Sequence, residues 1–295
     1  AIPAVLGRIP VSPDTGEQGR RIALARWIGD KDNPLTARVM ANRIWQHHFG
    51  RGLVNTTSDF GRNGSPPSHP DLLDWLARRF IADGWSVKKL HRLILTSRTY
   101  QQASSLRENA LALDGESRLL WHFPLRRLEA EAIRDSVLAV SGNLNLRMGG
   151  PGFNFFKARG GLSGFPIEET FSDEGLRRMI YAHKVRMERA PVFGAFDCPD
   201  AGQATPSRSR AVTALQALNL FNSKFMIDQS DVFAARIRKE AGSSPGEQVE
   251  RAFQLAYNRA PRPGERKSCE KTVSAHGLST LCRAILNSNE FVFMP

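Results

Sequence analysis

Cysteine is scarce in this chain, with three among 295 residues. Cys198, Cys269 and Cys282 form no C-x-x-C pair, no C-x-x-C-H haem-attachment motif and no zinc-finger spacing. No H-E-x-x-H motif is present, and the one glycine-rich stretch lacks the G-K-[ST] ending of a phosphate-binding loop. No apolar run reaches the roughly 18 residues a membrane helix needs, and no basic-then-apolar signal segment stands at the front. The chain opens on Ala1, not Met, so it reads as a processed or excised piece, which leaves room for a signal peptide already removed. There is no basic tail and no internal repeat of fixed period.

What is present is an ordinary globular composition, 41% hydrophobic and 24% charged, long enough to bury a core without disulfide staples. The net charge is +12, from 41 basic against 29 acidic residues, and arginine outnumbers lysine 32 to 9. The excess is spread evenly over the two halves. A field of this sign attracts polyanions such as nucleic acid, anionic lipid, or sulfated and uronic polysaccharide. Arginine forks bind carboxylate, phosphate or sulfate, and they also make internal ion pairs.

The pattern predicts a mostly α protein: a multi-helix bundle in two packed helical clusters, with long irregular loops and little or no β structure. Residues 1–16 read as an extended lead-in, 17–146 as an N-terminal helical cluster, 147–177 as a Gly/Phe-rich loop or lid, and 178–295 as a C-terminal helical cluster, together expected to form one domain. Asn33-Pro34 caps a helix that Gly50 ends. Residues 51–69 form a long irregular loop of the kind that often carries function. Further helices are expected from Pro70 to Gly84, after Ser86, and from Pro124 to about Ser141. Five more lie between Ala211 and Ser288. Arg178–Val185 alternates weakly and reads as a strand or extended segment.

Several groups are candidates for chemistry. On the Asn33–Gly50 helix, Arg38, Asn42 and Gln46 are spaced by four, with Arg43 and His47 in a parallel row. Such long planar groups either hold a polar ligand or brace loops through backbone carbonyls, and bracing is the commoner use. His47, His48 and His69 flank the loop carrying Asp59, so His47, Asp59 and His69 are candidate proton-transfer groups. Adjacent histidines face different sides of a helix and no His pair stands at i, i+4, so no metal is expected. Arg127, Glu131 and Asp135 read as one charged helix face. Glu131 is a catalytic candidate there, although an ion-pair ladder is the more ordinary reading. Asp197 or Asp200 could receive a fork from Arg208 or Arg210, which would hold the loop to the helix, and ligand binding by Arg127, Asp197, Asp200 and Arg208 is the other reading. Cys198 sits between those acids with no activating histidine nearby in sequence, and is not taken as a nucleophile. Cys269 and Cys282, on expected antiparallel helices, suit either a cross-link or two buried thiols.

Certain stretches are specific in combination. They are Asn33-Pro34-Leu35 through Trp45-Gln46-His47-His48-Phe49-Gly50 to Val54, then Asp59-Phe60-Gly61 and Pro66-Pro67-Ser68-His69-Pro70-Asp71. Arg126-Arg127-Leu128-Glu129-Ala130-Glu131, Gly149-Gly150-Pro151, Phe196-Asp197 with Pro199-Asp200, Gln216-Ala217-Leu218 and Leu286-Asn287-Ser288-Asn289-Glu290-Phe291 follow in order. Together they resemble the planctomycete-specific domain of unknown function at the C-terminal end of large cytochrome-C-domain proteins, from about Arg20 to Phe291. The resemblance implies an exported module, periplasmic or at the cell surface, with cytochrome-c-like and companion domains upstream in the same polypeptide as partners. It implies no catalytic residues and no cofactor.

The expected function is therefore an accessory or docking module. One alternative is an enzyme or binder of anionic polysaccharide. The other is a nucleic-acid binder, which the even charge and the absence of a basic stripe disfavour.

Overall fold

A computed structural model describes residues 6, 9, 11–157, 165–186, 188, 192–199 and 201–294. Among these the protein is mostly α, with twelve α-helices and a single two-stranded sheet. The chain divides into two compact units, Ala1–Leu125 and Arg126–Met294.

The first unit contains α1 (Glu17–Ile28), α2 (Thr36–Phe49), α3 (Pro70–Ala82), α4 (Val87–Leu95) and α5 (Glu108–Leu113). Its ends follow the expected capping chemistry. Asn33 Oδ1 accepts from the backbone N–H groups of Leu35 (2.9 Å) and Thr36 (3.1 Å), satisfying donors that the first turn of a helix leaves without partners. Gly50 closes α2 in the left-handed conformation at φ 81°. Pro70 opens α3, and Ser86 caps α4. α2, α3 and α4 pack on one another around Ile44, Phe49, Leu73, Leu76, Phe80, Leu90 and Ile94. Burying each such side chain contributes about 1.5–3 kcal/mol. α1 buries none of its residues, and Ile22, Leu24 and Ile28 remain exposed. α5 forms within the polar stretch 107–117, which reads in the sequence as a connector.

The second unit opens with β1 (Arg126–Arg127), which pairs antiparallel with β2 (Phe293–Met294). α6 (Ala130–Ser141) follows. The expected helix from Pro124 thus begins six residues later, because Arg126 and Arg127 are drawn into the ladder with β2. α6 also lies in this unit, although the sequence groups it with residues 17–146. α7 (Ala214–Asn222), α8 (Lys224–Ala241), α9 (Pro245–Tyr257), α10 (Pro263–His276), α11 (Leu278–Leu286) and α12 (Asn289–Val292) complete it. α8 is central and packs on α6, α7, α9 and α11, with Met226, Phe233, Ala234 and Ile237 fully enclosed. Arg178–Val185, expected to be extended, holds a 3-10 turn at Met179–Tyr181 and a bridge from Ala182 to Phe153.

Two arginines are sealed in this core. Arg134 donates to the carbonyl of Arg177 at 2.8 Å, and also to that of Gly175, under the rings of Phe153, Phe155 and Phe225. Burial pulls its pKa down to about 10. Arg177 donates to the carbonyls of Arg147, Gly149 and Pro151 and stacks 3.8 Å from the Tyr181 ring centroid. These bonds fasten the described part of the Gly/Phe-rich stretch, whose Phe153 and Phe155 are buried. Its glycines 160, 161 and 164 lie outside the described residues. The three cysteines are free thiols, and burial pushes Cys282 up to about 12.

Candidate functional site

The polar row on α2 divides by helix face. Asn42 is fully buried. Its side-chain amide donates to the Val54 carbonyl at 3.0 Å, and its amide oxygen accepts from the Val54 N–H at 2.8 Å. This reciprocal pair pins the start of the 51–69 loop to the helix. It also explains Gly52, where a Cβ would lie 2.6 Å from the Val54 oxygen and 2.7 Å from the Asn42 amide nitrogen. Asn42 thus braces the loop through both ends of its amide. Gln46 is buried beside it. Arg38 is tied to Asp74 at 2.6 Å and to the Pro34 carbonyl, which raises its pKa and lowers that of Asp74. Arg43 and His47 are exposed on the opposite face.

The loop groups serve local turns. Asp59 accepts from the Gly61 N–H at 2.8 Å, and its own carbonyl accepts from the Thr56 hydroxyl at 2.7 Å. His69 precedes α3, with its Nδ1 3.0 Å from the Ser68 hydroxyl.

A cavity of about 260 Å³ does open in this unit, behind the loop. Its walls are Trp45, Phe49, Leu53, Leu120, Pro66 and Pro124, with Arg51, Asn55, Ser65, Ser68, Glu116, Ser117 and Arg118 supplying polar groups. Arg38, Asn42, Arg43, Gln46, His47, Asp59 and His69 are not among its lining residues. The hollow is thus walled by the next turn of α2 and by the 116–124 segment. Glu116 is bonded by Arg51 at 2.8 Å, and that bond holds its carboxyl below the ordinary range. The side chain of Arg118 is exposed on the same wall, where its charge helps hold the Glu116 and Asp114 carboxyls below their ordinary range.

In the second unit a different group converges. Arg127 stands on β1, not on a shared helix face with Glu131, so the single charged face read over residues 127–135 is corrected. Arg127 is buried and donates to Asp197 at 2.7 Å and to the carbonyls of Ala211 and Leu128. Burial lowers its pKa despite the carboxylate. Asp197 occupies a left-handed conformation at φ 59° and also accepts from the Ala211 N–H at 2.8 Å. The turn carrying Cys198 is thereby tied to the segment before α7.

Glu131, in the first turn of α6, accepts from Arg208 at 2.6 Å, and Arg208 also reaches Glu129 at 3.1 Å. Burial alone would raise Glu131. The Arg208 bond and charge, a backbone N–H and the nearby Lys184 prevail and hold it below its ordinary value. Lys184, positioned by the Phe153–Ala182 bridge, donates to the Cys198 sulfur at 2.8 Å. The thiol in turn donates to Glu131 at 3.7 Å. Burial pushes the Cys198 thiol up, against the pull of Lys184. Of the sequence candidates, Arg127, Asp197, Glu131 and Arg208 meet here, and Asp200 lies outside the described residues. Lys184 was missed: the only signal for it was a charge in a weakly alternating segment. Among the described residues no group of three or more His, Cys, Asp and Glu could hold a metal ion.

The family model described as PSD1, a protein of unknown function (DUF1553), matches residues 20–273. The chain belongs to this family. The match spans the helices of the first unit and those of the second as far as α10. No curated protein matches the chain, and no solved structure matches it. Within the described residues of this DUF1553 chain, no helix is long and apolar enough to cross a membrane.

Proposed function

We propose that this chain is an accessory binding and docking module, not an enzyme, and that the cavity of the first unit takes the charged end of an anionic saccharide. One observation carries the reading. The cavity has an aromatic wall, hydroxyl groups and two arginines, yet its only carboxylate is committed to Arg51 and it has no histidine, lysine or cysteine. Acid–base catalysis needs a group free to exchange a proton near neutral pH, and this wall offers none. Arg118 supplies the fork for a sulfate or carboxylate, while Trp45 and Phe49 supply apolar surface.

The wider setting we infer is an exported protein, periplasmic or at the cell surface. There the module stands beside cytochrome-c-like and companion domains of a planctomycete polypeptide. The sequence resemblance supports this setting.

The test is titration calorimetry at low salt with a sulfated oligosaccharide and a neutral one of equal length. The sulfated ligand is expected to bind, the neutral one to bind far more weakly, and Arg118→Ala to lose about tenfold in affinity. Equal binding of both saccharides overturns the ligand class. Cleavage of either one overturns the accessory reading. Steep salt-dependent binding of duplex DNA in place of saccharide moves the chain to the nucleic-acid reading.

A further inference from the structure

We propose that Lys184 and Cys198 form a reversible covalent cross-link in which a single oxygen atom bridges the lysine nitrogen and the cysteine sulfur. The second unit would then carry a redox-dependent fastening that is independent of the saccharide cavity.

The geometry is unusual for a plain contact. Nζ lies 2.8 Å from Sγ, a separation ordinary for N–H···O and short for the larger sulfur atom. One interposed oxygen spans such a gap, whereas a direct sulfur–nitrogen bond would require the two side chains to close much further. Both partners are positioned by their surroundings. Lys184 follows the bridge between Phe153 and Ala182, and Cys198 follows the turn that Arg127 and Ala211 hold through Asp197. Glu131 lies 3.7 Å from the sulfur and 4.0 Å from the nitrogen, so one carboxylate can relay protons from both. Arg208 keeps that carboxylate charged and in place. Cys198 is 7% exposed, while the Lys184 and Arg208 side chains are each about one third exposed.

The chemistry balances with peroxide as oxidant. Sulfur attacks the first peroxide: a sulfur–oxygen bond forms, the oxygen–oxygen bond breaks, and one water leaves, giving the sulfenic acid. Lys184 loses its ammonium proton to solvent. A second peroxide then removes one hydrogen from the sulfenic oxygen and one from the amine as the nitrogen–oxygen bond forms, and two waters leave. Thiol, amine and two peroxides thus give the bridge and three waters. Four thiol equivalents reverse it, returning thiol, amine and one water with two disulfides.

The experiment is intact-mass spectrometry of the full chain, reduced and then titrated with hydrogen peroxide, followed by peptide mapping. The expected product is heavier by one oxygen and lighter by two hydrogens, joins the peptides containing residues 184 and 198, and reverts with dithiothreitol. Lys184→Arg and Cys198→Ser should each abolish it. The inference is overturned if Cys198 accumulates two or three oxygens without loss of hydrogen. A product that has lost two hydrogens with no oxygen gained also overturns it, as does a cross-link that survives in Lys184→Arg.

Discussion

The two units bury polar groups in different ways. In the first, the enclosed polar side chains named above are neutral: Asn33 and Asn42 bond the backbone, and Gln46 is buried one turn beyond Asn42. In the second, the enclosed groups include three guanidinium ions, those of Arg127, Arg134 and Arg177. A buried amide needs at least one acceptor for its N–H and one donor for its oxygen, and Val54 supplies both to Asn42 from the backbone of a single residue. A buried guanidinium needs several oxygens and a polarisable surround, and it finds them only where chain segments distant in sequence converge. Carbonyls of residues 147–151 and 175–177 therefore become the solvent shell of two arginines. The first unit secures one loop to one helix. The second organises a long irregular segment around charge.

Substitutions can break this contrast, and the largest effect belongs to the second unit. Arg134→Ala removes a fully enclosed ion, opens a cavity, and leaves the Gly175 and Arg177 carbonyls without their donor. A loss of roughly 3–5 kcal/mol is expected from urea unfolding. Arg134→Lys should rescue little of it, because an ammonium lacks the fork that spans both carbonyls.

In the first unit, Asn42→Ala strands the buried Val54 N–H and C=O groups and should cost about 2–3 kcal/mol. Gly52→Ala should damage the same brace, since the new methyl group would collide with the Val54 oxygen and the Asn42 amide. Equal losses for Asn42→Ala and Arg134→Ala would remove the distinction between neutral and charged bracing.

Glu131→Gln tests the charged cluster through pH. The folded-state pKa of Glu131 lies below its ordinary value, so its ion pair with Arg208 contributes stability above the unfolded pKa of about 4.3. That contribution disappears as pH falls through the lower, folded value. Near neutral pH the variant should be less stable by about 1 kcal/mol. The difference should vanish in acid, and stability profiles that run parallel down to low pH would contradict the ion pair. The smallest effect is expected at Arg43. Arg43→Ala should shift stability by less than about 0.5 kcal/mol, because the residue sits on the exposed face of α2.

Much of the fold was legible in the sequence where the cause is local. Asn33, Pro70, Ser86 and Gly50 mark helix ends because capping depends on a few adjacent residues. The start of α6 was misplaced because β1 exists only through β2, which lies far along the chain. The site was legible in composition but not in assembly. The motif containing Asp197 and the pair Arg127 and Glu131 were visible as polar clusters, and Arg208 was visible as a partner for acids. Nothing in their spacing distinguished a strand-borne Arg127 from a helical one, or brought Lys184 to Cys198.

The amino-acid order alone determined that this chain is helical, where most of its helices end, and which family it joins, since periodicity, capping and motif order are properties of neighbouring residues. Only the tertiary structure decided which polar side chains are braces and which are open to ligands. Whether Asn42 faces a backbone or a solvent-filled hollow depends on where a loop segment twelve residues away returns. Whether an arginine is a surface charge or the centre of a carbonyl shell depends on segments that meet only when the core closes.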